Sequence, residues 1–312
     1  MNVTRSLRNL RQWWGFPRRR KIPPDAVVVD VGCGHVPNMR SNILADKFIL
    51  DEAERSQPIG LDERPFIICD ALRLPFKDGS VDYVICSHLA EHADEPEVLF
   101  AELTRVAKAG YIECPGRVRE ILHGWEFHRW YVQVKDDRLV FEEKPRALHD
   151  TELHEWFANW FEKDRAFESF FLDNIERLNL VSMYDWAGEI KYSVHRHPHS
   201  IWERTAAKLE TVEPITRDDL LMQLKNVPRA SLSRNERLKK HLSKIARRSS
   251  DARAAARLRA MLCCPECRGE LNDGTEGLTC PACHASFPVV ENVYCLLPEQ
   301  VPRRQLQLSV GH

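Results

Sequence analysis

The 312-residue sequence holds no run near the roughly 18 consecutive apolar residues of a membrane-spanning helix, so a helical integral membrane protein is not expected. The apolar core of a secretory signal is also missing from its basic N-terminus, so a cytoplasmic location is expected, with membrane-peripheral contact as a variant. Acidic residues are absent from positions 1–21, which carry Arg5, Arg8, Arg11, Arg18, Arg19, Arg20 and Lys21. A second basic run extends from Arg229 to Arg259, yet the net charge is only −1, so the region between is acidic. Such asymmetry concerns partners rather than fold.

Cysteine is not scarce, but its distribution argues against a disulfide scaffold. Of the ten, Cys33, Cys69, Cys86 and Cys114 stand singly in or beside apolar runs and read as buried thiols. The other six crowd into Cys263–Cys295. The apolar content of 43% supports a real core, and the length suits one large domain plus a small one.

The stretch Val27-Val28-Val29-Asp30-Val31-Gly32-Cys33-Gly34 reads as a strand buried on both faces that runs into a glycine turn. Glycine lets the backbone approach a ligand there, at the sheet edge where doubly wound folds bind nucleotides. A helical stretch around Met39–Asp46 and a second strand Lys47–Leu50 are expected next, ending in Asp51. An acid about 20 residues beyond such a turn suits a ribose diol. Further strands are expected at Phe66–Cys69, Asp82–Ser87 and Gly110–Pro115, with a helix over Glu97–Lys108. Alternating strands and helices imply a parallel α/β sheet.

Asp30-Val31-Gly32-Cys33-Gly34, Asp51, Cys69-Asp70-Ala71 with Leu74-Pro75-Phe76, Ser80–Val84 and Glu91-His92 together resemble the class I S-adenosylmethionine-dependent methyltransferases, and within them the ubiquinone and menaquinone group. The resemblance implies that Asp30, Gly32 and Gly34 form the turn that meets the methionine part of S-adenosylmethionine. It also implies that Asp51 holds the ribose, that Asp70 and Ala71 address the adenine, and that Ser87 lies beside the methionine. The family's third glycine is replaced by Val36, and Asp62 is a minor rival to Asp51. No Asn-Pro-Pro-Tyr-like motif of amino-group methylation follows the fourth strand, which favours oxygen or carbon acceptors.

Methyl transfer from a sulfonium needs alignment, exclusion of water and at times a base. His88 and His128 are the candidate catalytic residues. His128 lies in the imidazole- and indole-rich segment His123–Trp130 and titrates near neutral pH when unperturbed; a structural histidine is the plainer alternative. His88, Glu91 and His92 would share a helical face, and the similar segment of ubiquinone O-methyltransferases binds a divalent metal. The plainer reading is that Glu91-His92 caps and orients the helix. Trp130–Val134 and Arg138–Phe141 read as a hairpin through Asp136-Asp137, and Asp150-Thr151 caps an aromatic helix containing Trp156 and Trp160.

Leu7, Leu10 and Trp14 fall on one face of a basic N-terminal helix that suits an anionic membrane surface, or a lid. From Ile215 to Leu262 the pattern is helical and basic, open to a solvated linker, RNA or a membrane face. Cys264-Pro265-Glu266-Cys267 and Cys280-Pro281-Ala282-Cys283 then point four thiolates at one centre, the signature of structural zinc. Residues Leu278 to Pro298 resemble the small zinc-ribbon activator subunit that partners methyltransferases acting on tRNA and on a release factor.

The expected architecture is α/β, a doubly wound Rossmann-like sheet followed by a zinc-ribbon domain. Residues 1–24 form the basic segment, 25–214 the methyltransferase domain, 215–262 the basic connector, 263–300 the zinc ribbon and 301–312 a tail. The expected activity is methyl transfer to a small-molecule, glycan or lipid-linked acceptor. An RNA methyltransferase and a non-catalytic adaptor are the alternatives.

Overall fold

The computed structural model describes residues 22–49, 59, 61–145, 151–174, 178–198, 209–211, 215–227, 234–298 and 300–302. The expected N-terminal helix, Asp51, Asp150 and the tail beyond 302 lie outside the described residues.

Strand β1 (Val28–Val31) is wholly buried, as its β-branched run requires. Strands β2 (Ile43–Asp46), β3 (Phe66–Ile68), β4 (Tyr83–Ser87) and β5 (Ala109–Pro115) lie parallel to it in the order β3-β2-β1-β4-β5. Helix α1 (Pro96–Val106) joins β4 to β5, and α2 (Arg117–His123) follows. The expected hairpin is present as β6 (Trp130–Lys135) and β7 (Arg138–Glu143), turned through Asp136 and Asp137 at positive φ. Helices α3 (Thr151–Lys163) and α4 (Arg165–Asp173) lead to β8 (Val181–Ala187), which runs antiparallel beside β5. Strand β9 (Tyr192–His195) pairs with β7, and β10 (Leu209–Thr211) and helix α5 (Arg217–Asn226) follow.

The second strand departs from expectation. It spans Ile43–Asp46, not Lys47–Leu50, and the acid at its tip is Asp46. The physical reason is the crossover: residues 32–42 make only turns and bends, with no helix between β1 and β2, so the strand arrives early. Asp30 Oδ2 braces that loop by accepting from the Asn38 amide at 2.6 Å. Arg64, itself paired with Asp62, donates to the Asn38 carbonyl at 2.8 Å.

Helix α6 (Arg234–Met261) packs against this short crossover. Arg247, Ser250, Ala254, Leu258 and Met261 are buried at helical spacing. The Asn42 amide group donates to Ser250 Oγ at 2.9 Å and to Asp251 Oδ1 at 2.7 Å, and Arg257 pairs with Asp82 at 2.9 Å. The basic connector is therefore not a solvated link along this face. Ala254, Leu258 and Met261 share one core with α1 and one face of the sheet, while Leu220 of α5 packs on the other.

Strands β11 (Asn272–Asp273), β12 (Gly277–Thr279), β13 (Ser286–Val290) and β14 (Val293–Cys295) continue the same sheet. Strand β14 pairs in parallel with β3, Tyr294 opposite Ile67, so ten strands run from the cysteine-rich end to β8. Strand β15 (Gln300–Pro302) pairs with β10. Among the described residues, no helix is long and apolar enough to cross a membrane.

Candidate active site

The chain leaves β1 in a left-handed turn, with φ of +70° at Gly32 and +52° at Gly34. That conformation suits glycine and strains other residues. A Cβ on Gly32 would meet Leu89 at 2.9 Å, whereas one on Gly34 would meet nothing within 4 Å, so Gly34 borders open space at the strand ends. The Gly32 and Cys33 amides both donate to the Ala45 carbonyl, at 2.8 and 3.1 Å. The Gly34 amide donates to Asp46 Oδ2 at 2.9 Å, clamping the tip of β2 to the turn. Asp30 is buried beneath it, and burial pushes its pKa up to about 6 against the pull of the Asn38 amide and Arg64.

Past β3, Asp70 Oδ1 accepts from the Leu72 amide at 2.9 Å and caps the single helical turn Ala71–Arg73. Its Oδ2 lies 2.8 Å from the Lys47 ammonium, whose pKa burial lowers despite this partner. Asp46 and Asp70 thus stand at the ends of neighbouring strands beside an open glycine turn. This edge fits S-adenosylmethionine: acceptors for hydroxyl and amino groups, next to a turn that is open at the Cβ position of Gly34.

At the tip of β4, Ser87 Oγ donates to Glu113 Oε1 at 3.4 Å. His88 follows at φ +55°, a conformation uncommon away from glycine. It therefore does not join a helical face with Glu91 and His92, which belong to the single turn Ala90–His92. His88 Nδ1 lies 3.3 Å from Glu91 Oε1, and Nε2 lies 3.5 Å from Glu113 Oε1. Burial opposes its charge, but the hydrogen bonds to Glu113 and Glu91 prevail and carry its pKa up to about 9. Its side chain is 45% exposed, against 19% for Glu113 and 1% for Glu91, so it is the open member of the group. Glu91 is pushed up by burial but held down at about 2 by His88, His92 and His128.

His128 is buried, its Nδ1 2.7 Å from Glu120 Oε2, and burial lowers its pKa. Glu120 also takes the Lys144 ammonium. His123 stacks on Trp125 at 4.3 Å, with Phe157 and Phe161 edge-on to it. Burial and the nearby Arg119 push His123 down to about 4. Together these rings make an aromatic wall beside the acidic and imidazole groups.

Sequence alone does not single out Asp46, Lys47, Glu113 or Glu120 as site residues. Glu113 carries a signal, a lone acid inside the apolar run of β5; Glu120 lies on a short helix with nothing local to mark it.

In the ribbon, Cys264 Sγ and Cys283 Sγ lie 3.6 Å apart, and Cys267 Sγ and Cys280 Sγ 3.4 Å apart. Four sulfurs held at about 2.3 Å from one zinc ion sit roughly 3.8 Å from each other, so the donor set fits tetrahedral zinc. The two halves repeat one geometry. Cys264 N donates to Gly269 O and Cys280 N to Ala285 O, both at 2.9 Å, and Arg268 and His284 take φ of +63° and +64°. Four thiolates leave no open position, which makes the site structural. It packs on the loop after Asp70: Cys263 N donates to Pro75 O at 3.0 Å, and Arg268 reaches both Leu74 O and Glu102.

Residues 29–112 match the family described as "Methyltransferase domain", and residues 256–292 match "Trm112p-like protein". The 2-methyl-6-phytyl-1,4-hydroquinone methyltransferase of Synechocystis sp. is 29% identical over 164 residues, which are 48% of this chain and 46% of that protein. The chain thus spans about half the length of the curated relative it matches. Among solved structures, the complex between the Haloferax volcanii Trm112 methyltransferase activator and a methyltransferase matches at 18% identity and a TM-score of 0.31, covering 53% of this chain and 90% of that one. A methyltransferase from an antibiotic biosynthesis pathway of Anabaena variabilis matches at 14% identity and a TM-score of 0.33, covering 57% and 96%. The chain thus carries one segment, 29–112, that is similar to a methyltransferase domain and another, 256–292, that is similar to Trm112p-like protein.

Proposed function

We propose that the chain transfers a methyl group from S-adenosylmethionine to an oxygen or carbon of a small, ring-bearing acceptor. The observation that carries this reading is one edge of one sheet: the open turn at Gly34, with Asp46 and Asp70 at the next two strand tips and an aromatic wall with His88 beyond β4. Gly32 and Gly34 with Ser87 take the methionine part, Asp46 in place of Asp51 takes the ribose, and Asp70 with Ala71 takes the adenine. When bound, the cofactor supplies an electrophilic methyl group.

His88 is protonated at neutral pH and suits the steadying of an acceptor oxygen rather than the removal of its proton. Burial lowers the His128 pKa against the pull of Glu120, and its Nε2 suits the taking of a proton. The relative's hydroquinone substrate supports a ring-bearing acceptor. The RNA reading loses support because Arg253 and Arg257 on α6 are engaged by Asp25 and Asp82, and Arg247 by the Met39 carbonyl.

The test is incubation of the intact chain with radiolabelled methyl donor and a fractionated cell extract. Label in a small apolar product supports the proposal; label in RNA, or none in any fraction, overturns it.

A further inference from the structure

Beside His88 lies a second set of ligating side chains. Glu91, His92 and His128 each offer one ligating atom, and these atoms lie within 4.8 Å of one another. Two elements supply them: Glu91 and His92 belong to the turn after β4, and His128 to the segment before β6. The Arg129 amide donates to the Glu91 carbonyl at 3.0 Å, so the backbone fixes these elements together.

Glu91 is 1% exposed, and its Oε2 has no hydrogen-bond partner among the described residues. Its Oε1 is taken by His88. A buried charged oxygen left unpaired is costly, and the neighbouring Cys114 thiol is a weak donor. His128 has Nδ1 on Glu120, which leaves Nε2. A carboxylate on the far nitrogen is the arrangement that orients an imidazole toward a metal and raises its basicity. Glu120 is itself held by Lys144.

We infer that Glu91, His92 and His128 bind one divalent transition-metal ion, distinct from the cysteine site. Two imidazoles with one carboxylate suit zinc, manganese, iron(II) or cobalt rather than magnesium. Ligands about 2.1 Å from an ion lie roughly 3 to 3.5 Å apart, so a modest rotation of His92, the least buried of the three, closes the set. Three protein ligands leave positions for water or an acceptor oxygen. With the ion bound, His128 Nε2 is a ligand and not a base. The inference stands apart from methyl transfer, because metal uptake is read without cofactor or acceptor.

The experiment titrates the intact, zinc-loaded chain with cobalt(II) alone, reading visible spectra and metal content after gel filtration. One cobalt per chain is expected beyond the zinc, with weak bands typical of nitrogen and oxygen ligands and no thiolate charge-transfer. His128→Ala should abolish uptake, and Glu120→Gln should weaken it by about 10- to 100-fold. Retained zinc shows that each variant is folded. If His128→Ala loses its zinc, His92→Gln replaces it in the test, with the same loss of cobalt expected. Cobalt absent from the wild type, present only with thiolate bands, or bound equally by the folded variants, overturns the inference.

Discussion

The Gly34 amide donates to the Asp46 carboxylate at 2.9 Å, tying the first strand's turn to the second strand's tip. Because a Cβ on Gly34 would meet nothing within 4 Å, replacing it tests ligand binding more than packing. Gly34→Ala should cost about 1–2 kcal/mol of stability through its positive φ. Gly34→Val should add a loss of S-adenosylmethionine affinity of at least about tenfold with the fold retained. Denaturation and calorimetry on the two variants check this. Full affinity in folded Gly34→Val would contradict it.

Asp30 predicts an inverted pH dependence. Its folded pKa lies near 6, above the ordinary 3.8, so the folded chain binds this proton more tightly than the unfolded one. The group's contribution is present at low pH and is lost as pH rises from about 4 through 6, by roughly 3 kcal/mol in all. Asp30→Asn should flatten that slope and raise stability at pH 7 by about 1–3 kcal/mol. Urea unfolding at several pH values measures it. Identical slopes for both proteins would count against a buried charge at this position.

Leu258 is predicted to behave as a core residue of the methyltransferase sheet, not as part of a linker. It is 3% exposed and packs with residues of β1 and α1 in one cluster. Leu258→Ala should cost about 2–4 kcal/mol in a single cooperative transition. A cost below about 0.5 kcal/mol would place the helix in solvent.

Zinc removal should reach the cofactor edge. The cysteine knuckles hold Leu74 and Pro75 through Arg268 and Cys263, a few residues past Asp70. Cys267→Ser, or chelation, should lower thermal stability and weaken S-adenosylmethionine binding together. Unchanged affinity in zinc-free chain would uncouple the two sites.

Part of the sheet is legible in the sequence because β1, β3 and β4 are short, mainly apolar runs containing valine or isoleucine. The hairpin at Asp136-Asp137 and the zinc centre are legible because turn chemistry and ligand spacing are local. The acid of the second strand is not. Its expected placement rests on a spacing that assumes a crossover helix, and this chain replaces that helix with a turn braced by Asp30 and Asn38. What covers the turn is α6, whose Asp251 meets Asn42 across 209 positions. No periodicity within α6 reveals that partner. Strand β14 is equally silent, because Val293-Tyr294-Cys295 is too short to announce that it extends the sheet from β3. Spacing alone puts His88 on a helix with Glu91 and His92, because it says nothing of the positive φ that takes His88 out of one.

The central claim is that Asp46, not Asp51, completes a site for S-adenosylmethionine beside the Gly34 turn. Calorimetric titration of the intact chain with that cofactor tests it most directly. Wild type and Asp51→Ala should bind one equivalent with equal affinity, while Asp46→Ala should bind at least about tenfold more weakly, a loss of about 1.4 kcal/mol or more. No saturable heat in the wild type, or a loss that follows Asp51 instead of Asp46, would contradict the account.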